Sequence, residues 1–229
     1  MRGVEEFGAP DGLFRRLRAA SGTDWSGYVW HPFVQKLSAG TLPLKAFQHY
    51  LVQDYLFLIH FARAKALAVV KGESIAAMRS KAAAVLAILD ETLLHLKYCA
   101  EWGLTEDQVT LIPETLETVS YTRWVMDRGL AGDILDLEIA LAPCTVGYGE
   151  VARRITADPA RMVAGNPYQS WIESYSGEGY QSMAEAAALR IDALGESHGG
   201  TARFAPLLRD FSMAARLEQR FWQQGLDVT

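Results

Sequence analysis

Cysteine is scarce in this chain of 229 residues, and long apolar runs and a strong excess of either charge are absent. The two cysteines, Cys99 and Cys144, form no Cys-x-x-Cys pair and no Cys/His cluster with zinc spacing, so we interpret both as free thiols. Apolar runs such as Leu67 to Val70 are far shorter than the roughly 20 residues that span a bilayer. The formal net charge of -5, spread along the chain, predicts neither a nucleic-acid nor a membrane partner.

The first residues, MRGVEEFGAPDG, are acidic and lack the apolar segment of a signal peptide. We therefore expect a soluble protein of the cytoplasm. Half of the residues are hydrophobic, which is enough for a sizeable core. The length suits one domain, or at most two small ones, and we predict a single domain over residues 1–229.

The chain is rich in Ala, Leu, Glu, Gln, Lys and Arg, and it almost lacks the alternating Val, Ile and Thr of strands. This composition predicts helices throughout. Gly and Pro mark their ends: Pro43 suits a helix start, Gly72 a helix end, and Ser74 an N-cap. The predicted helices cover 12–20, 24–38, 43–71, 74–102, 113–129, 132–157, 167–175, 180–195 and 202–224.

Three of these helices carry an apolar stripe that is interrupted by one reactive side chain. The stripe of the third predicted helix contains Asp54, and that of the last helix contains Glu218. The stripe of the sixth helix contains Cys144 and, one turn later, Tyr148. The stripes read Phe47, Leu51, Asp54, Leu58, Phe61; Leu137, Leu141, Cys144, Tyr148, Val151, Ile155; and Phe204, Leu208, Phe211, Ala215, Glu218, Trp222.

Burying a carboxylate is unfavourable unless it is paired, so two carboxylates on apolar stripes favour a polar pocket inside a helical bundle. A thiol beside a carboxyl group that exchanges protons near neutral pH is an arrangement suited to nucleophilic catalysis. Each residue also has a plainer interpretation. Cys144 fits a small core side chain, Asp54 a partner of Arg63 or a tyrosine, and Glu218 a partner of Arg216 or Arg220.

Four blocks of sequence are distributed over nearly the whole chain: WHPFVQKLSAGTLPLKAFQHYLVQDYLFLIHFARA (30–64), LAPCTVGYGEVA (141–152), NPYQSWIESYSGEGY (166–180) and LEQRFW (217–222). In order and spacing they resemble the TenA/thiaminase II family: its N-terminal signature, cysteine motif, tyrosine-rich block and C-terminal glutamate motif. The resemblance implies an all-α, haem-oxygenase-like bundle that assembles as a homotetramer. It also implies hydrolysis of an aminopyrimidine, either 4-amino-5-aminomethyl-2-methylpyrimidine or thiamine, to 4-amino-5-hydroxymethyl-2-methylpyrimidine in thiamine salvage.

The resemblance also implies roles for particular residues, without a metal or an organic cofactor. Cys144, which places the chain in the cysteine branch, would be the nucleophile and Glu218 the acid and base. Asp54 would bind the amino-pyrimidine edge, and Tyr121, Tyr148 and Tyr175 would line and orient the pocket. Phe57 stands where many members have tyrosine, so this part of the substrate site would lack a hydroxyl.

Two other functions remain open at this point. A metal-dependent oxidase would use Glu91 and His95, which are four residues apart on the fourth predicted helix, together with His60. The chain offers few inward histidines and glutamates for such a centre, so we interpret Glu91 and His95 as a surface or packing pair. The other alternative is a non-catalytic protein that binds a pyrimidine or regulates a partner.

Overall fold

The structure, a computed structural model, describes residues 6–228, except for the side chains of Glu91, Leu93 and Leu94. The outermost ends of the predicted 1–229 domain, residues 1–5 and residue 229, lie outside the described residues. All regular structure between residues 6 and 228 is helical, which confirms the all-α class. Within that range no helix is both long enough and apolar enough to cross a membrane.

The residues that the structure describes form twelve α-helices: α1 Leu13–Ser21, α2 Thr23–Val29, α3 Pro32–Ser38, α4 Leu44–Val70, α5 Ile75–Glu101, α6 Glu106–Thr110, α7 Leu116–Ala131, α8 Ile134–Ala142, α9 Tyr148–Ala157, α10 Gln169–Ser176, α11 Glu178–Ser197 and α12 Phe204–Asp227. A π-helical turn, Pro143–Gly147, joins α8 to α9.

Local sequence signals explain several helix ends. Ser74 caps α5 as predicted, because its side-chain oxygen accepts a hydrogen bond from the Ala77 amide at 3.1 Å. The short helix α6 was not predicted, although its capping box is visible in the sequence. There the side chains of Thr105 and Gln108 each bond the backbone amide of the other residue.

The prediction of one helix over 24–38 is wrong, because the chain breaks at Trp30 and His31. Proline disfavours helical geometry in the residue before it, and His31 is extended with ψ 152°. Pro32 then opens α3, where its missing N–H is harmless, and the His31 ring nitrogen accepts a hydrogen bond from the Phe33 amide at 3.3 Å. The predicted continuous helix 132–157 is also interrupted, by the π turn.

The described chain divides into two compact units. Unit 1 comprises Met1–Leu42 and Glu138–Trp222, and unit 2 comprises Pro43–Leu137 and Gln223–Thr229. The expectation of a single domain therefore stays a prediction.

The core of unit 1 is organised around the aromatic ring of Trp25. This ring stacks on Phe211 with centroids 5.0 Å apart and meets Phe14 edge-on at 5.9 Å. Its indole N–H donates to the carboxylate of Glu150 at 2.9 Å. The stacked and edge-on arrangements are those that aromatic rings prefer, so α1, α2, α9 and α12 share one packed contact.

Glu150 is a buried carboxylate, with 3% of its surface exposed, and it is fully paired. Arg18 donates two hydrogen bonds to it, both at 2.7 Å, and Arg154 donates a third at 2.9 Å. Burial alone would raise the pKa of Glu150, but the hydrogen bonds and charge of Arg18, helped by Arg154 and Trp25, outweigh it and lower the pKa. This ion pair joins α1 to α9.

Unit 2 is built on the long helices α4 and α5. One apolar cluster contains Val52, Leu56, Cys99 and Val109, with the thiol of Cys99 fully buried. Burial raises the pKa of the Cys99 thiol, which disfavours the reactive thiolate.

The pairing of Glu150 with Arg18 predicts how the free energy of unfolding depends on pH. Glu150→Gln should lower the free energy of unfolding at pH 7 by about 3 kcal/mol, because Arg18 loses its buried counter-charge. In the natural protein, the Glu150 carboxylate is protonated at a higher pH in the unfolded chain than in the folded protein. The stabilisation is therefore complete above about pH 4.5 and is lost as the pH falls through the lowered folded pKa.

Urea unfolding at pH 7 and at steps between pH 5 and pH 3 measures both effects. The exposed residue Glu101 provides the control, since Glu101→Gln should leave stability at pH 7 within about 0.5 kcal/mol. Equal pH dependence in the natural protein and in Glu150→Gln would contradict the assignment.

Candidate active site

Cys144 lies inside the π turn between α8 and α9. A proline inside a helix has no N–H to donate and its ring crowds the carbonyl one turn earlier, and Pro143 occupies the first position of this turn. Opening the backbone to the wider π spacing accommodates the ring without ending the helix. Such turns are frequent at functional sites, and the side chain of Cys144 is half-buried here, in contrast to Cys99.

Two tyrosine hydroxyls bond the carbonyls of this turn. Tyr28 donates to the carbonyl of Pro143 at 3.0 Å, and Tyr180 donates to those of Cys144 at 3.4 Å and Thr145 at 3.1 Å. Gly147 allows the Tyr28 ring to lie against the turn. A Cβ at that position would be 2.3 Å from a Tyr28 ring carbon, which is closer than any real contact.

Four aromatic rings of unit 1 form a cluster, and the first of them in the chain directly follows the π turn. We name this cluster the aromatic wall. Its members are Tyr148, Trp171, Tyr175 and Trp222. The Tyr148 ring lies 5.1 Å from Tyr175 and 5.2 Å from Trp222, while Trp171 lies 4.6 Å from Tyr175. Flat rings with polar tips can stack on a planar heteroaromatic ligand and also hydrogen-bond it.

Glu218 is placed by α12 and has only 1% of its surface exposed. Glu218 lies four residues before Trp222, which is about one helical turn. Cys144 lies at the same distance before Tyr148. Each of the two therefore precedes a member of the aromatic wall by about one turn. A carboxylate so deeply buried is rarely just one half of an ion pair on the protein surface. The stripe on α12 is confirmed from Phe211 to Trp222, whereas its first members, Phe204 and Leu208, are only half-buried.

Asp54 belongs to unit 2 and lies on the buried face of α4, with 5% of its surface exposed. One of its oxygens, Oδ2, accepts a hydrogen bond from the Tyr50 hydroxyl at 3.2 Å and lies 2.8 Å from Nε2 of His95. Both contacts reach the same carboxylate oxygen. The carboxylate is thus held on one side only.

The interpretation of Glu91 and His95 as a surface or packing pair is wrong as to the surface, since His95 is buried, and the pairing itself stays a prediction. His95 has 3% exposure, and it bonds the carboxylate of Asp54 41 residues away. The side chain of Glu91 lies outside the described residues. Three grouped His, Cys, Asp or Glu side chains that could hold a metal ion do not occur in the described part of the chain.

Phe57 and Tyr121 contact each other in unit 2. Their ring centroids lie 5.0 Å apart, and Phe57 also stacks on Phe61 at 5.9 Å. Both rings are buried, with Phe57 on the same helix as Asp54 and Tyr121 on α7. The missing hydroxyl of Phe57 leaves an apolar ring next to Tyr121.

The predicted site residues thus fall into two groups. Unit 1 holds Cys144, Tyr148, Tyr175 and Glu218, and unit 2 holds Asp54, Phe57 and Tyr121. Sequence reasoning missed Tyr28 and Tyr180, and it named His95 without its contact to Asp54. A histidine between leucines in LLHLKYC was a visible signal for His95, whereas the tyrosine contacts depend on the π turn, which no periodicity indicated.

Comparisons with known proteins identify the class of this helical protein. The profile of the TENA/THI-4/PQQC family matches residues 21–228. An aminopyrimidine aminohydrolase of Halalkalibacterium halodurans is 31% identical over 88% of this chain and 89% of its own. An uncharacterized protein of Haemophilus influenzae is 40% identical over 89% of this chain and 94% of its own.

A crystal structure of a TenA family transcription regulator from a Silicibacter species superposes with a TM-score of 0.87. It is 40% identical, covering 96% of this chain and 97% of that one. The chain therefore belongs to the TENA/THI-4/PQQC family, as its four sequence blocks predicted.

The close contact between Gly147 and the Tyr28 ring predicts how a side chain at position 147 affects stability. Alanine is ordinarily the better helix former by about 1 kcal/mol. Here Gly147→Ala should instead lower the free energy of unfolding by about 2 kcal/mol, because the fully buried Tyr28 ring cannot move aside. Gly179 in α11 is the matched control, since its added Cβ meets nothing within 4 Å. Chemical denaturation of both variants tests this, and a Gly147→Ala protein as stable as Gly179→Ala would refute it.

Proposed function

We propose that this protein is a hydrolase that converts an aminopyrimidine to 4-amino-5-hydroxymethyl-2-methylpyrimidine in thiamine salvage. Its substrate is 4-amino-5-aminomethyl-2-methylpyrimidine, thiamine, or both. Cys144 is the nucleophile and Glu218 the acid and base, while Asp54, Tyr121, Tyr148, Tyr175 and Phe57 bind the substrate. No metal or organic cofactor takes part.

The observation that carries this proposal is the position of Cys144. In a chain that belongs to the family, the thiol lies half-buried on a π turn and is followed by the aromatic wall. A relative that is similar over most of its length is named an aminopyrimidine aminohydrolase. Hydrolysis at an electron-poor ring needs a nucleophile of this kind, because a thiolate attacks where water is too weak.

The proposed chemistry needs only side chains and water. The Cys144 thiolate adds to C6 of the pyrimidine, and the electron pair moves through the ring to expel the amine, or the thiazole of thiamine, from the C5 methylene. Glu218 gives its proton to the leaving amine, whereas the thiazole leaves as a neutral ring and needs no proton. The carboxylate of Glu218 then takes a proton from water, which adds to the exocyclic methylene carbon as the Cys144 sulfur leaves. The net reaction replaces the amine or the thiazole with a hydroxyl.

Asp54 suits recognition of an amino-pyrimidine edge. Tyr50 and His95 hold its Oδ2, so the carboxylate has little freedom to rotate. Its Oδ1 can then accept a hydrogen bond from the ligand, and a held carboxylate binds without the entropy cost of being ordered. The negative charge would also stabilise positive charge that develops on the amidine part of the ring.

The assembly and location of the protein are part of the same proposal. We expect a homotetramer in the cytoplasm. Exposed apolar side chains along one face of α5, namely Ile75, Met78, Leu86 and Leu89, offer a surface for a second copy of the chain.

The proposal is tested most directly by measuring kcat/KM for thiamine and for the aminomethyl pyrimidine with the same protein. Turnover of either substrate supports the enzyme. Tight binding without turnover of either would indicate a pyrimidine-binding protein instead.

The nucleophile has its own test. Cys144→Ser should lower kcat at least about a hundredfold, equivalent to roughly 2.7 kcal/mol of barrier, because a hydroxyl is far less nucleophilic than a thiol at neutral pH. Cys99→Ser is the control, since Cys99 lies in the apolar cluster of unit 2, and it should keep the natural kcat/KM. Turnover by Cys144→Ser at a rate near that of the natural protein would rule out this mechanism.

Asp54→Asn should reduce kcat/KM at least about thirtyfold, which corresponds to roughly 2 kcal/mol, since it removes one partner of a buried charged hydrogen bond. Asp192→Asn is the matched control. Asp192 is also a buried carboxylate, but it accepts hydrogen bonds from the backbone amides of Ala9 and Phe14 and is not among the proposed site residues.

The control variant should therefore lose stability and keep kcat/KM. If Asp54→Asn shows the same pattern, with a lower melting temperature and unchanged kcat/KM, then Asp54 is a structural residue.

A further inference from the structure

Tyr180 lies at the π turn but has no part in the chemistry proposed above. It is the third residue of α11, and its half-buried ring meets Tyr175 edge-on with centroids 4.8 Å apart. Its hydroxyl shares one proton between the carbonyl oxygens of Cys144 and Thr145. The bond therefore reaches the backbone of the proposed nucleophile itself.

Tyr28 makes the neighbouring contact. It donates to the carbonyl of Pro143, so three consecutive carbonyls of the turn, at 143, 144 and 145, receive a tyrosine hydroxyl. Interior carbonyls of a helix ordinarily need only the backbone N–H of a later residue. Side-chain donors on three in a row stabilise this particular turn over a regular α-helical one.

The position of a π turn decides where nearby side chains point. A π turn takes one residue more than an α turn, and each residue of an α-helix advances about 100° around the axis. If the π turn formed at a different position in the chain, the side chains between the two positions would rotate by about 100° relative to α9. The direction of the Cys144 thiol therefore depends on the turn staying at Pro143–Gly147.

We infer that Tyr180 is a positioning residue, which together with Tyr28 holds the π turn in place and so directs the Cys144 thiol. The inference rests on the proposed function of Cys144 as the nucleophile. In this role Tyr180 acts through the carbonyls of Cys144 and Thr145.

The test measures the reactivity of the thiol as well as turnover. All proteins carry Cys99→Ser, so that iodoacetamide reports on Cys144 alone. Tyr180→Phe removes the hydroxyl and keeps the ring that meets Tyr175. We expect alkylation of Cys144 in the folded protein to slow about fivefold to tenfold, the effect of losing one net hydrogen bond. We expect kcat to fall by a similar factor, with KM within twofold of the parent.

Tyr168→Phe is the matched control. Its hydroxyl also bonds a backbone carbonyl in unit 1, that of Leu42, but this bond does not involve the π turn. The control should lower the melting temperature and leave alkylation and kcat unchanged. Replacing Tyr180 by 4-aminophenylalanine, which restores an N–H donor, should recover most of the alkylation rate.

The outcomes separate this inference from the proposed function. If Tyr180→Phe alkylates as fast as its parent, or if Tyr168→Phe slows alkylation equally, Tyr180 does not position the thiol. If only Tyr180→Phe slows alkylation but no aminopyrimidine is turned over by the parent, the positioning role stands and the proposed reaction is wrong. If the parent turns over an aminopyrimidine normally and Tyr180→Phe is alkylated at the parent's rate, the proposed reaction is supported and the positioning role of Tyr180 is wrong.

Discussion

The missing N–H of Pro143 is the constraint on which the proposed catalytic centre depends. A proline in the middle of a helix must either end it or change its hydrogen bonding. Here the chain opens into a π turn and then continues as α9, so Cys144 lies on a distorted segment within an otherwise regular helix. Two tyrosine hydroxyls and the absence of a side chain at Gly147 complete this arrangement.

The buried carboxylates of this protein differ in how completely they are paired. Glu150 receives hydrogen bonds from two arginines and an indole, and its lowered pKa agrees with a permanent negative charge that stabilises the fold. Asp54 receives its two described contacts on a single oxygen. A carboxylate with all its partners supplied by the protein has nothing left for a ligand, whereas one held at a single oxygen can still bind a ligand donor. Pairing therefore distinguishes a structural carboxylate from a candidate binding residue better than burial does.

Membership of the TENA/THI-4/PQQC family does not by itself decide the activity, because similar proteins carry different names. One relative is named an aminopyrimidine aminohydrolase, and a structural neighbour of higher identity is named a transcription regulator. Function has to be argued from the residues of the site. The half-buried thiol of Cys144 on its π turn and the carboxylate of Glu218, with 1% exposure, are the two residues on which the proposed hydrolysis rests.

The sequence by itself determined the helical class, the family, and the three apolar stripes that carry Asp54, Cys144 and Glu218. These follow from local rules, since side chains three and four residues apart share a helix face whatever the helix packs against. Pro32 was a local signal as well, and the break before it could have been predicted. Only the tertiary structure paired His95 with Asp54 across 41 residues and brought Tyr28 and Tyr180 to the π turn. Contacts between residues so far apart in the chain depend on how the helices pack, and no helical period encodes which donor will meet which carbonyl.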